Sequence, residues 1–172
     1  YEAGIKIMKE EIESEKPSKF LNPWNSSCED PTKHLNTARK MVPPELLNNT
    51  GVLMMETDRH QEAEINLQEA LKNVEKMIDV SNVSTTPADE EPQKDKRLMA
   101  LRLNIRFNLA CCLENAHKIG EATERFRALI KDEPSYTDAY LRLAYLARAR
   151  GDVKRALDYV DSARANFKKG YN

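Results

Sequence analysis

The feature that most constrains this chain is a repeat. The stretch "LRLAYLARARGDVKRALDYVDSA" (141–163) aligns with "FNLACCLENAHKIGEATERFRAL" (107–129) at an offset of 34. Leu109-Ala110 falls on Leu143-Ala144, Ala122 on Ala156, and Phe126 on Val160. A third copy, "NNTGVLMMETDRHQEAEINLQEA" (48–70), precedes the second at an offset of 59, which is one period plus 25. There Thr50-Gly51 takes the Leu-Ala place, Ala63 the central alanine and Leu67 the large apolar position. A fixed period of this length implies one supersecondary unit that buries its apolar face only against its neighbours.

Each unit reads as two antiparallel helices, so the fold class is all-α. The first helix of each carries large residues on one helical face: Leu46, Leu47 and Met54, then Leu109 and Leu113 four apart, then Tyr140 and Leu143 three apart. Turns are expected at 57–60, 115–120 and 148–153. Two helices that approach to ~8–10 Å need small residues at the crossing. Gly51, Ala110 and Ala144 supply them on the first helices, and Ala63, Ala122 and Ala156 on the second. Pro134 closes one pair where a missing N–H does least harm, and Pro44 suits a first helical turn.

Composition agrees with this. With 32% charged residues, 40% apolar residues and five glycines, the chain favours helices over hairpins or phosphate-cradling loops. No apolar run approaches the ~20 residues that span a membrane. The net charge of −1 conceals an asymmetry: residues 1–96 carry 12 Lys/Arg against 19 Asp/Glu, and 97–172 carry 15 against 9. The basic residues are interleaved with acids, which marks solvated helix faces, and direct nucleic-acid binding is not expected. Three unpatterned cysteines make no disulfide framework and point to a reducing compartment, cytosol or nucleus.

The rest divides around three repeats. Residues 1–16 read as the second helix of a truncated repeat, and the opening on Tyr1 reads as that of an excised piece. Residues 17–41 read as a proline-rich insertion that Trp24 could anchor, 42–80 as repeat one and 81–93 as a flexible loop. Repeat two takes 94–134 and repeat three 135–169.

Cys111, Cys112 and His117 invite a metal reading, which helix geometry opposes. Successive side chains stand ~100° apart, so the three cannot converge on one tetrahedral ion without unwinding the helix. Cys28 and His34 form a loose pair with no matching partner pair. There is no G-x-S-x-G elbow, H-E-x-x-H, Walker A loop or G-x-G-x-x-G, and no catalytic site, metal or cofactor is expected.

The period, the Leu-Ala pair, the central alanine and the closing proline resemble the tetratricopeptide repeat (TPR). That resemblance implies an inner face, built from first helices, that holds an extended or helical peptide. Carrying the register over places Asn48, Val52, Phe107, Cys111, Leu141, Arg142, Tyr145 and Arg148 on the partner-binding face. TPR domains that bind acidic chaperone tails use a clamp of Lys, Asn and Arg. Asn108 and Arg142 could match parts of it, but Val52 and Asp138 stand where clamp residues belong. A short-peptide adaptor is therefore the alternative reading.

The wording carries a narrower resemblance. "VPPELLNNTGVL" (42–53), "RFNLACCLE" (106–114) and "EPSYTDAYLRLAYLARARGD" (133–152) are similar, in order and with the same wide first gap, to the central region of the TPR scaffold subunit of the RNA polymerase II-associated factor (PAF) elongation complex. Residues 17–41, the acidic stretch near 84–93 and 166–172 depart from that pattern. The resemblance implies a nuclear, non-catalytic scaffold. Its partners would be other PAF subunits and, indirectly, the RNA polymerase II machinery in transcription elongation and co-transcriptional histone modification.

Overall fold

The computed structural model describes residues 42–83 and 91–169, all within one compact unit. The expected helix at 1–16 and insertion at 17–41, with Trp24, Cys28 and His34, lie outside the described residues, as do 84–90 and 170–172. The described elements are α1 (Pro44–Glu56), α2 (His60–Val83), α3 (Glu91–Asn115), α4 (Ile119–Asp132), α5 (Thr137–Ala149) and α6 (Val153–Lys169). Each helix packs on its neighbours in sequence, and α1 also packs on α3.

α1 begins where Pro44 sets the first helical φ and needs no N–H, while the Pro43 carbonyl accepts the Leu46 and Leu47 N–H groups. Within each helix pair the small residues sit at the crossing. Ala63, Ala110 and Ala122 are wholly buried, and Gly51, Ala144 and Ala156 are buried as well. A methyl group added to Gly51 would lie 2.7 Å from Leu67 Cγ, so the Leu67 side chain of α2 packs into the space that glycine leaves on α1.

The three turns between paired helices share one geometry. Asp58, His117 and Gly151 all take left-handed φ, at 58°, 60° and 82°. Each donates its N–H three residues back, to Met55, Glu114 and Arg148 respectively. The next residue then donates five back: Arg59 to Met54, Lys118 to Leu113, and Asp152 to Ala147. This is a Schellman cap, which satisfies carbonyls that the end of a first helix would otherwise leave orphaned.

Two expectations need correction. Leu46, expected on the buried face of its helix, is 57% exposed, while its neighbour Leu47 is 5% exposed. The segment 81–93 is not simply a loop: α2 runs to Val83 and α3 starts at Glu91. Helices of 24 and 25 residues stand where the other described helices have 13 to 17, so much of the wide first gap is helix. The added turns are stable because they carry their own apolar seam, in which Val74 and Ile78 of α2 meet Leu98 and Ile105 of α3.

Candidate protein-binding surface

α3 is enclosed towards its C-terminal end. Leu109, Ala110, Cys111, Cys112 and Leu113 are five successive buried residues, which a helix reaches only when neighbours cover most of its circumference. Cys112 packs with Ala63, Leu67 and Leu109, and its thiol donates to the His60 carbonyl at 3.4 Å. Cys111 belongs to the next cluster, with Ala139 and Leu143 of α5. Burial pushes the Cys111 thiol up to about 11, against the opposing pull of Arg142, and burial also raises Cys112. His117 stands apart as an exposed turn residue. Cys111, Cys112 and His117 therefore lie in three different environments.

The eight residues expected on the binding face separate into two groups. Asn48 is 8% exposed, and its Oδ1 accepts from Asn108 Nδ2 at 2.9 Å. Phe107 is half-buried between Phe126 and Tyr136, with ring centroids 5.7 and 5.5 Å away. Cys111 is 6% exposed. Burial puts Asn48 and Cys111 out of reach of a partner, and Phe107 packs toward α4 and Tyr136, the residue before α5; Val52 is half-buried. By contrast Leu141 and Tyr145 are more than half exposed, Arg142 and Arg148 are exposed, and the Arg148 guanidinium sits 5.8 Å from the Tyr145 ring centre.

The reason lies in the register. Asn48, Phe107 and Leu141 are equivalent, as are Val52, Cys111 and Tyr145. These positions face the following helix pair, so they are buried or half-buried wherever a following pair exists among the described residues. Only the last pair leaves them open.

Another set of first-helix positions stays accessible in all three repeats. Glu45, Asn104 and Asp138 are equivalent and exposed. One turn on, Asn49 and Arg142 are exposed and Asn108 is half-buried. These side chains are largely amides and charges. Tyr136 donates its hydroxyl to Asn104 Oδ1 at 3.2 Å, which links the start of α5 to this row. Arg142 stands 3.6 Å from the Glu114 carboxylate, whose pKa is raised chiefly by burial, with Arg142 opposing the shift. Of this row the repeat register put only Arg142 on the binding face. The signal for the rest is the recurrence of asparagine at 49 and 108, the same offset that relates the first two copies of the repeat.

The tetratricopeptide-repeat family model matches residues 107–170. Those residues belong to the tetratricopeptide-repeat family, and the described helices form an all-α solenoid of that type. This TPR array is similar to the RNA polymerase-associated protein CTR9 of Caenorhabditis elegans, at 30% identity over 154 residues, 89% of the chain and 13% of that protein. It is also similar to the protein CTR9 homolog of Arabidopsis thaliana, at 32% identity over 138 residues, 71% of the chain. The chain spans about an eighth of the length of these curated relatives, 13% of each. The solved structure MamA MSR-1 C2 is 15% identical and overlaps 80% of this chain and 92% of its own, with a TM-score of 0.38.

Proposed function

We propose that this TPR array is a non-catalytic, nuclear scaffold segment that holds another subunit of the PAF complex during RNA polymerase II transcription elongation. The observation that carries the reading is the 30% identity to a protein named as RNA polymerase-associated, running over 89% of the chain and including the repeats. The partner surface is the row of Asn49, Asn104, Asn108, Asp138 and Arg142. Amides that recur along adjacent helices can hydrogen-bond the main chain of an extended segment whatever its side chains, which suits a scaffold. The row carries one cation, so it offers an acidic tail little charge to bind.

Pull-down of purified PAF subunits by the chain tests this reading. Capture is expected, and is expected to weaken with Asn49→Arg and Asp138→Arg, which leave the buried residues untouched. Saturable binding of acidic chaperone C-terminal peptides, abolished by Arg142→Ala, with no capture of PAF subunits, would favour the adaptor instead.

A further inference from the structure

The two junctions between successive helix pairs occupy the same register and carry opposite charge. At the first, Lys118 at the start of α4 donates to the Glu64 carboxylate of α2 at 2.9 Å, and Gln68 donates to the same carboxylate at 3.1 Å. Moving forward by one repeat takes Glu64 to Thr123 and Gln68 to Arg127. It takes Ala116 to Arg150, Lys118 to Asp152 and Glu121 to Arg155. The carboxylate that ties the first junction together is thus a hydroxyl at the second, and three arginines arrive where an amide, a methyl group and an acid stood. Arg127, Arg150, Asp152 and Arg155 line one open cleft of about 250 Å³ between α4 and the α5–α6 pair, above the buried side chains of Leu143 and Leu146.

The charge of this cleft is poorly answered from within the chain. Arg150 is exposed and reaches the Thr123 hydroxyl oxygen at 3.4 Å, and it makes no ion pair among the described residues. Thr123 spends its own hydroxyl proton on the Ile119 carbonyl at 2.7 Å. Arg127 and Arg155 pair with Glu124 and Asp152, each three residues away, at 2.7 and 3.3 Å. Exposed pairs of that spacing contribute little and yield to a more highly charged ligand. The planar fork of an arginine matches the oxygens of a phosphate, and a phosphorylated side chain brings about −1.5 to −2 charge with three acceptor oxygens. We propose that this cleft binds a phosphomonoester, phosphoserine or phosphothreonine, carried by a partner polypeptide. Arg150 is its central contact, and Arg127 and Arg155 close on it from either side. The surroundings select one compact anion over a strand of them. Glu124 is exposed beside Arg127, and Asp158 and Asp161 are exposed along α6, so successive nucleic-acid phosphates would run onto carboxylates. The cleft shares no residue with the amide row on the first helices. It shares none with the apolar end face either, where Tyr145, Leu157 and Val160 are 54%, 60% and 36% exposed.

The repeat supplies the test variants. Arg150→Ala and Arg155→Glu each restore the side chain found at the first junction, and both positions are exposed, so the melting temperature should hold. The probe is a short fluorescent peptide of alanine and glycine around one phosphoserine, titrated by anisotropy at physiological ionic strength. Saturable binding is expected, with the unphosphorylated peptide weaker by about tenfold or more. Each variant should weaken the phosphopeptide by about tenfold, while Arg164→Ala, an exposed arginine of α6 outside the cleft, should leave it unchanged. The proposal is overturned if both peptides bind alike, if binding survives Arg150→Ala combined with Arg155→Glu, or if Arg164→Ala weakens it equally. A single-stranded oligouridylate that displaces the probe at lower concentration than unlabelled phosphopeptide would assign the cleft to nucleic acid and overturn it too. No PAF subunit enters these titrations, so their failure is distinct from failure of the scaffold function.

Discussion

The pair α3–α4 and the pair α5–α6 are built to one plan and live in different surroundings. Ala110 and Ala144 make the same crossing, as do Ala122 and Ala156, and all four are buried. One layer outward the two pairs part: Phe126 is wholly buried and Val160 is 36% exposed. Contacts inside a pair are thus a property of the repeat, while contacts between pairs depend on whether a neighbour is present. Stability should therefore be concentrated in the middle of the array.

The sharpest way to break this comparison is at its most unequal position. Phe126→Ala should destabilise the chain by about 3–5 kcal/mol, the cost of a large buried cavity. Val160→Ala should cost under about 1 kcal/mol, because much of that side chain already meets water. Equal losses in denaturant unfolding would show that the last pair is covered after all. Next in size are the crossings. Ala122→Leu should overpack α3 against α4 and cost about 1–3 kcal/mol; Ala156→Leu should cost less, because the open side lets its pair splay.

The turns offer a comparison in which the sign reverses. His117 holds a left-handed φ that favours glycine, so His117→Gly should stabilise by about 1 kcal/mol. Gly151→Ala imposes the same strain on the last turn and should destabilise by a similar amount. The thermal midpoints of the two variants check this directly.

The smallest effect concerns Cys111, whose thiol is pushed up to about 11 by burial and so stays protonated at neutral pH. Iodoacetamide at neutral pH should leave Cys111 and Cys112 unmodified in the folded chain and label both once it is unfolded, as read by peptide mass spectrometry. The folded pKa lies above the ordinary value of 9.0. The thiol is therefore penalised for ionising in the folded chain: stability is unaffected by it below pH 9 and is lost as pH rises from 9 towards 11.

Most of the architecture was legible in the residues, because a repeat prints its packing rule more than once. The alternation of Gly51, Ala110 and Ala144 with Ala63, Ala122 and Ala156 located the crossings, and Gly151 marked one turn. The turns at 57–60 and 115–120 were legible too, but not the left-handed φ of Asp58 and His117, since neither residue type announces it. The helical ends of α2 and α3 were obscured by "SNVSTTPADEEPQ", whose Ser, Thr and Pro read as loop. The repeat register separates two rows of first-helix positions for a geometric reason. One residue along a helix is ~100° of rotation, enough to turn a position from solvent to the next helix pair. On α3 that rotation separates Ile105 in the core from Asn104 in solvent.

The proposed division gives the polar row on the first helices to a partner and leaves the apolar end face out of partner binding. The measurement that tests this division most directly is a binding titration of labelled chain with purified PAF subunits, comparing the wild type, Asn49→Arg with Asp138→Arg, and Leu157→Glu. The paired row variant is predicted to weaken binding by about tenfold or more while Leu157→Glu leaves it unchanged. Binding that survives the row variant and is lost with Leu157→Glu would contradict it.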